Sequence, residues 1–132
     1  KIFMVGCGAL GCEHLKNFAM LGLATEGSIT VTDGGRVENA DLNRQFLFRS
    51  GDIGSSKSGT AAARVRALNP SVKISHHDLL AMTSTTKVFD DDFWTGTGEV
   101  NEGGKPRGVG AGDGLTFIID AAESQPARKF LD

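Results

Sequence analysis

The chain has 132 residues and a formal net charge of −2 at pH 7, with 14 basic and 16 acidic side chains. This length allows one domain with a hydrophobic core, and the absence of a basic stripe argues against nucleic acid as a partner. No apolar run is long enough to cross a membrane, so we expect no membrane partner either. Two cysteines do not make a disulfide framework and favour a reduced, cytosolic chain. Because Lys1 leads directly into a predicted strand, we expect a piece of a longer protein without a signal peptide.

The first predicted elements are a strand from Ile2 to Val5, a glycine turn, and a helix over residues 9–22. This order is the first half of a βαβ nucleotide-binding unit. In the turn, Gly6 allows the tight bend, Gly8 lets the backbone approach a phosphate or ribose, and Gly11 lets the helix pack on the strand. The helix N-terminus then offers free N–H groups to an anion.

A second predicted strand runs from Ser28 to Thr32 and is followed at once by Asp33. An acid about 20 residues beyond the glycine turn accepts hydrogen bonds from ribose hydroxyls in such units, and we assign this role to Asp33. The connection that follows contains a short predicted helix over residues 41–48, capped by Asp41. Connections in α/β units usually have about 2–6 residues, so a long one at this place indicates function.

The remaining elements complete the pattern. A helix is predicted from about Lys57 to Leu68, a third strand from Val72 to Ser75, and a short helix within residues 83–94. Residues 95–114 hold eight of the 18 glycines and almost no large apolar side chain, so we expect a flexible surface insertion there. An apolar fourth strand from Leu115 to Ile119 follows.

The fourth strand ends at Asp120, and a last helix is predicted to begin near Pro126. Strands that alternate with helices predict an α/β fold with a Rossmann-like, doubly wound, mainly parallel sheet. Since the pattern stops mid-fold, we expect further strands in the parent protein. Ligands of such folds bind beyond the carboxyl ends of the strands, where the glycine turn, Asp33 and Asp120 should meet.

Two cations are expected over the same crevice. Arg44 suits a phosphate through its planar fork, and Lys57 suits it as a point charge. Asp120 suits Mg²⁺, which prefers carboxylate and phosphate oxygens. Cys7 and Cys12 have no base nearby in the sequence and are not expected to act as nucleophiles. His76 and His77 are expected to be exposed residues at a strand end and not ligands, and residues 90–92 are expected to form a solvated face or a helix N-terminus.

Several stretches resemble the adenylation domain of ubiquitin-activating (E1) enzymes, in particular its second, active adenylation half. They cover the glycine turn, the first helix, the long connection and the start of the next helix: residues 5–13, 15–22, 41–49, Lys57 and 60–63. The resemblance covers most of residues 1–94 and resumes over 115–120. It implies that residues 1–132 are part of one adenylation domain, interrupted by the insertion at 95–114.

The resemblance also implies a reaction. The enzyme binds Mg·ATP and the C-terminal glycine of ubiquitin, and the ubiquitin carboxylate attacks the α-phosphate to give ubiquitin adenylate and pyrophosphate. A cysteine in a separate domain then takes ubiquitin as a thioester. Ubiquitin, the other adenylation half and E2 conjugating enzymes, which bind through domains absent here, are the implied partners. The implied location is the cytoplasm and the nucleus.

Residue roles follow from the same resemblance. Arg44, Lys57 and Asp120 are the implied catalytic residues: the two cations hold the phosphates and Asp120 holds the magnesium, while Asp33 holds the ribose. The other positions implied in nucleotide binding are Gly6, Cys7, Gly8, Gly11 and Asn43.

Two positions depart from the family's pattern, since Asp41 and Ala121 stand where the family usually has Asn. We expect the charge of Asp41 to repel a triphosphate unless it faces the metal. Three other functions stay open: activation of another ubiquitin-like protein or of a sulfur carrier, an NAD(P)-binding oxidoreductase domain, and a non-catalytic scaffold. A scaffold would have no need of Asp33, Arg44, Lys57 and Asp120 together, and an oxidoreductase would have no use for the two cations.

Overall fold

The computed structural model describes residues 1–95, residue 115 and residues 117–131. Within them, four parallel strands form one sheet in the order β3-β2-β1-β4. The strands are β1 Ile2–Val5, β2 Ile29–Thr32, β3 Ile74–His77 and β4 Phe117–Asp120. The helices are α1 Ala9–Leu21, α2 Lys57–Leu68, α3 Asp91–Thr95 and α4 Gln125–Leu131, with 3-10 helices at Asn39–Asn43, Ser50–Asp52 and Thr83–Thr85. The predicted Rossmann-like α/β fold is confirmed.

Strand β1 lies at the centre of the fold and is buried on both faces. Because side chains alternate along a strand, Met4 points into an apolar cluster with Leu15 of α1 and Val65 of α2. Phe3 points to the opposite face and packs against Phe89 and Phe93, with ring centroids 5.6 and 5.2 Å away. A strand covered on both faces is typical of parallel sheets.

The two long helices have caps of ordinary chemistry at Gly22 and Ser56. Helix α1 ends at Gly22, whose φ of 69° is left-handed and lets its N–H reach the carbonyls of the last turn. Helix α2 begins after Ser56, whose Oγ accepts a hydrogen bond from the Gly59 amide at 3.2 Å. The final helix agrees with the prediction, since α4 begins next to Pro126.

The predicted bounds of the third strand are wrong by two residues. The Val72 amide donates to the carbonyl of Asn69 at 3.1 Å, so this residue closes the turn after α2. Pairing with β2 begins at Ile74, opposite Ile29, and His77 is therefore the last strand residue. Alternation alone could not distinguish a turn residue from a strand residue here.

The predicted helix over residues 41–48 is also wrong. Only the 3-10 helix Asn39–Asn43 forms, and Asp41 is its third residue instead of its cap. The Asp41 carboxylate accepts the Glu38 amide at 2.9 Å, which starts the helix two residues earlier than predicted.

Other bounds also differ from the prediction, by one residue at the end of α1 and at the start of β2 and by more elsewhere. The helix predicted within 83–94 is split into Thr83–Thr85 and α3, and β4 begins at Phe117 and includes Asp120. The predicted insertion lies almost wholly outside the described residues.

None of the described helices is long and apolar enough to cross a membrane.

Candidate functional site

A cavity of about 150 Å³ opens at the carboxyl ends of β1 and β2. Its wall includes Gly6 and Gly8 from the glycine turn, Asp33 after β2, and Lys57 at the start of α2. The opposite wall comes from the segment after β4, including Glu123. This is where α/β sheets of this topology bind ligands, because the strand order reverses between β1 and β4.

The glycine turn is shaped by close backbone packing. Gly6 has a φ of +101°, and a Cβ there would collide with the carbonyl of Ala121. A Cβ on Gly11 would meet the carbonyl of Gly6, which agrees with its predicted role in helix packing. At Gly8 the nearest atom to such a Cβ is Oε1 of Glu123, at 2.6 Å, so a side chain of the protein occupies the space next to this glycine.

Asp33 connects the glycine turn to the long connection. Its Oδ2 accepts the Cys7 amide and its Oδ1 accepts the Gly35 amide, both at 2.7 Å. The Ser58 hydroxyl donates to the Asp33 carbonyl at 3.2 Å, which also fixes the backbone. A carboxylate oxygen has two acceptor sites, so each oxygen retains capacity for a ligand hydroxyl.

Lys57 is held by an ion pair on the cavity wall. Its Nζ lies 2.9 Å from Oδ2 of Asp41, and the two side chains are 16% and 12% exposed. Burial alone would raise the pKa of the Asp41 carboxyl, but the Glu38 amide and the Lys57 ammonium outweigh it and hold that pKa below its ordinary value. Asp41 is therefore a carboxylate at neutral pH, and Lys57 is not a free cation.

Arg44 and Asn43 are exposed and do not line the cavity, although both were predicted to bind nucleotide. The positive charge of Arg44 still contributes to the low pKa of Asp41, so the guanidinium lies within electrostatic reach of the ion pair. The predicted folding of Arg44 over the crevice is thus absent from this structure, while the placement of Lys57 agrees with the prediction.

Asp120 lies at the end of β4, in register with Val5 of β1. Its Oδ1 accepts the Ala122 amide at 2.9 Å, which orients the carboxylate, and the side chain is exposed beside the cavity and not in its wall. Among the residues that the structure describes, no group of three metal-binding side chains comes together. One carboxylate fits Mg²⁺ only when phosphate oxygens and waters supply the other ligands, as is usual for this ion.

Cys7 and Cys12 are both fully buried. Burial, together with the neighbouring Asp33 carboxylate, raises the pKa of the Cys7 thiol well above its ordinary value, and burial raises the pKa of Cys12 to about 11. Both are protonated thiols at neutral pH. The role of Cys7 in nucleotide binding could only be through its backbone amide, which Asp33 already accepts.

Glu123 and Gln45 were not predicted from the sequence. Glu123 contributes a carboxylate to the cavity, and the only signal for it was its position three residues after Asp120. Gln45 is 1% exposed and donates from Nε2 to Asp41 at 2.8 Å, while its Oε1 is buried without a partner in the described part of the chain. No pattern in the sequence distinguished it from the exposed residues beside it.

Comparison with known proteins identifies the family. Residues 1–131 match the model of the ThiF family. The chain is 50% identical over 134 residues to ubiquitin-like modifier-activating enzyme 1 of Homo sapiens, and 48% identical over 135 residues to ubiquitin-like modifier-activating enzyme 6 of Mus musculus. Both alignments cover 100% of this chain, which spans 11% of the length of either enzyme.

Solved structures agree with this assignment. The E. coli protein MccB, solved with ATP, matches with a TM-score of 0.55 and 28% identity over 59% of this chain and 22% of MccB. The E. coli tRNA N6-threonylcarbamoyladenosine dehydratase TcdA matches with a TM-score of 0.72 over 98% of this chain and 44% of that protein, and its 22% identity supports the fold alone. Fold, cavity and family model lead to one conclusion: the chain belongs to the ThiF family.

Proposed function

We propose that this chain forms the nucleotide site of an ATP-dependent adenylating enzyme that acts on the C-terminal carboxylate of ubiquitin. The observation that carries the proposal is the meeting of Asp33 and Lys57 with the glycine turn on one cavity. An acceptor for ribose, a cation for phosphate and exposed backbone N–H groups are the three elements that a nucleotide site needs. The similarity to ubiquitin-like modifier-activating enzymes supports a ubiquitin-like protein as one substrate, and the similarity to MccB, solved with ATP, supports ATP as the other.

In the proposed reaction, a carboxylate oxygen of the substrate forms a bond to the α-phosphorus of ATP. The bond from that phosphorus to the bridging oxygen breaks, and pyrophosphate leaves with the electron pair. Mg²⁺, which Asp120 would hold together with phosphate oxygens, would neutralise part of the phosphate charge. Little covalent work falls to the protein, so positioning and charge stabilisation carry the rate.

Each predicted residue has a distinct part in this proposal. Asp33 would accept hydrogen bonds from the ribose, and its two backbone hydrogen bonds keep it in place for this. Lys57 would bind phosphate from the cavity wall, and Arg44 would reach the outer phosphates after a change of side-chain conformation. Removing one such charge typically lowers the rate by about 10²–10³.

The remaining partners are also proposals. We propose that the other adenylation half of the same protein and E2 enzymes act with this chain, and that they work in the cytoplasm and the nucleus. The names of the similar enzymes support a ubiquitin-like protein as a partner, and their greater length leaves room for further domains.

The test is ATP–pyrophosphate exchange by the intact protein in the presence of ubiquitin. We expect exchange that requires ubiquitin and falls about 10²-fold or more in Lys57→Gln. Lys16→Gln is the matched control, because it removes a cation from another ion pair, Lys16–Glu13 on α1, away from the cavity. Asp120→Asn is compared in the same way with Asp78→Asn, which breaks the exposed pair with Arg36.

The outcomes separate the remaining functions. Exchange only with another ubiquitin-like protein or a sulfur carrier would reject ubiquitin as the substrate. Thermal stabilisation by Mg·ATP without exchange would favour the scaffold, and stabilisation by NADH but not ATP would favour the oxidoreductase. Equal losses in Lys57→Gln and Asp120→Asn and in their respective controls would reject the site assignment.

A further inference from the structure

Two aspartates have the same structural task in the long connection. Asp41 and Asp52 are each the third residue of a 3-10 helix, and each accepts the backbone amide three residues before it, at 2.9 and 2.8 Å. Each also forms an ion pair with a cation of α2: Asp41 with Lys57 at 2.9 Å, and Asp52 with Arg64 at 3.0 Å. Both carboxylates therefore hold the long connection against α2 through the same two kinds of contact.

They differ in where their cations lie. Lys57 lines the cavity, whereas Arg64 does not and is 42% exposed. Asp41 is also fixed by a third donor, because Gln45, 1% exposed, donates to its Oδ1 at 2.8 Å. The Asp41 carboxylate therefore faces the Lys57 ammonium in one orientation and cannot turn away without giving up buried hydrogen bonds.

This arrangement limits the hydrogen-bond donors and the positive charge that Lys57 can offer to a ligand. An ammonium has three donors, and Asp41 already takes one of them. The Asp41 carboxylate also offsets the positive charge of Lys57 on the cavity wall. Because the two side chains are largely shielded from water, this electrostatic effect is stronger than it would be in solvent. A phosphate that enters the cavity meets a nearly neutral pair instead of a full positive charge.

We propose that Asp41 sets the phosphate affinity of the cavity by competing with bound phosphate for the Lys57 ammonium. The proposal rests on the proposed nucleotide site. It assigns to Asp41 a positioning role that acts through Lys57 and not a contact with the reacting atoms. Its consequence is specific: removing the charge of Asp41 should strengthen the binding of ligands in proportion to their phosphate charge, and should leave an uncharged nucleoside unaffected.

The experiment measures the dissociation constants of ATP and adenosine for the intact protein, by displacement of a fluorescent ATP analogue at fixed salt. In Asp41→Asn we expect ATP to bind about tenfold more tightly, while adenosine changes by less than about twofold. Asp52→Asn is the matched control and should change neither constant. Asp41→Ser, whose hydroxyl can still accept the Glu38 amide, serves as a second neutral variant if Asp41→Asn does not fold.

A second measurement tests the Lys57–Asp41 ion pair in the absence of nucleotide, through the chemical reactivity of the Lys57 amine. Acylation of Lys57 by an amine-reactive reagent, followed by mass spectrometry, should be several-fold faster in Asp41→Asn than in the original protein, and unchanged in Asp52→Asn. ATP affinity that is equal in Asp41→Asn and the original protein, or that falls in parallel with adenosine affinity, would overturn the role of Asp41 alone. No ATP binding by the original protein would overturn the proposed function, and this inference with it.

Discussion

At the scale of single residues, Gly6 shows how one position shapes the site. Its φ of +101° is one that L side chains rarely adopt, and the Ala121 carbonyl occupies the place of a Cβ. We expect Gly6→Ala to lower the free energy of unfolding by about 1–3 kcal/mol. Gly51→Ala is the control, since nothing lies within 4 Å of its Cβ position and it should change stability by less than about 1 kcal/mol. Equal urea denaturation midpoints for the two variants would contradict this reasoning.

The two cysteines make a second prediction at this scale. Thiolate is the reactive form, and burial raises the pKa of both thiols, to about 11 for Cys12. At pH 8 we therefore expect native Cys7 and Cys12 to react with iodoacetamide at least about 100-fold more slowly than in denaturant. Peptide mass spectrometry at timed intervals measures this. Rapid labelling of the folded protein would show that the glycine turn opens readily.

At the scale of elements, α3 and β3 meet at a half-buried histidine. The ring of His77 lies 5.8 Å from that of Phe89 and 5.9 Å from that of Phe93. Burial, assisted by the charge of His76, lowers the pKa of His77, so the folded state holds its proton less tightly than the unfolded state does.

This pKa shift predicts a pH dependence of stability. Where the unfolded chain binds more protons, stability rises with pH, so the protein should lose stability as pH falls below about 6.5. We expect His77→Phe to flatten this part of the profile. The free energy of unfolding of the variant and of the original protein, measured from pH 7 to pH 5, tests this. An unchanged slope in His77→Phe would assign the dependence to other groups.

At the scale of the whole molecule, the proposed site makes binding and stability interdependent, because Gly6, Asp33, Lys57 and Glu123 come from four separate segments. A ligand that binds only the assembled cavity stabilises the folded state by mass action. Mg·ATP at about 100 times its dissociation constant should add about 2.7 kcal/mol to the free energy of unfolding. Lys57→Gln should lose most of this gain at the same ATP concentration, and Lys16→Gln should keep it.

Local chemistry made much of this molecule predictable. The glycine turn and the acid at the end of β2 depend on residues close together in the sequence, and the structure agrees with both. The family follows from the same stretches.

Contacts between distant segments explain what was not predictable. The Lys57–Asp41 pair depends on how the long connection folds back onto α2, and Glu123 enters the cavity only because β4 pairs with β1. The bounds of β3 depend on its pairing with β2 and not on its own alternation. The nucleotide roles of all the predicted site residues, including Asp33 and Lys57, remain predictions.

The position of β1 in the sheet has a consequence for folding during synthesis. Among the four described strands β1 is synthesised first, yet one of its two neighbours, β4, begins at Phe117. Contacts so distant in sequence form slowly and late. Until β4 pairs, the apolar edge of β1 is open and the cavity lacks the wall that contains Glu123. A nascent chain should therefore be unable to bind nucleotide until nearly all of these residues have been synthesised, which ties the onset of ligand binding to the completion of the sheet.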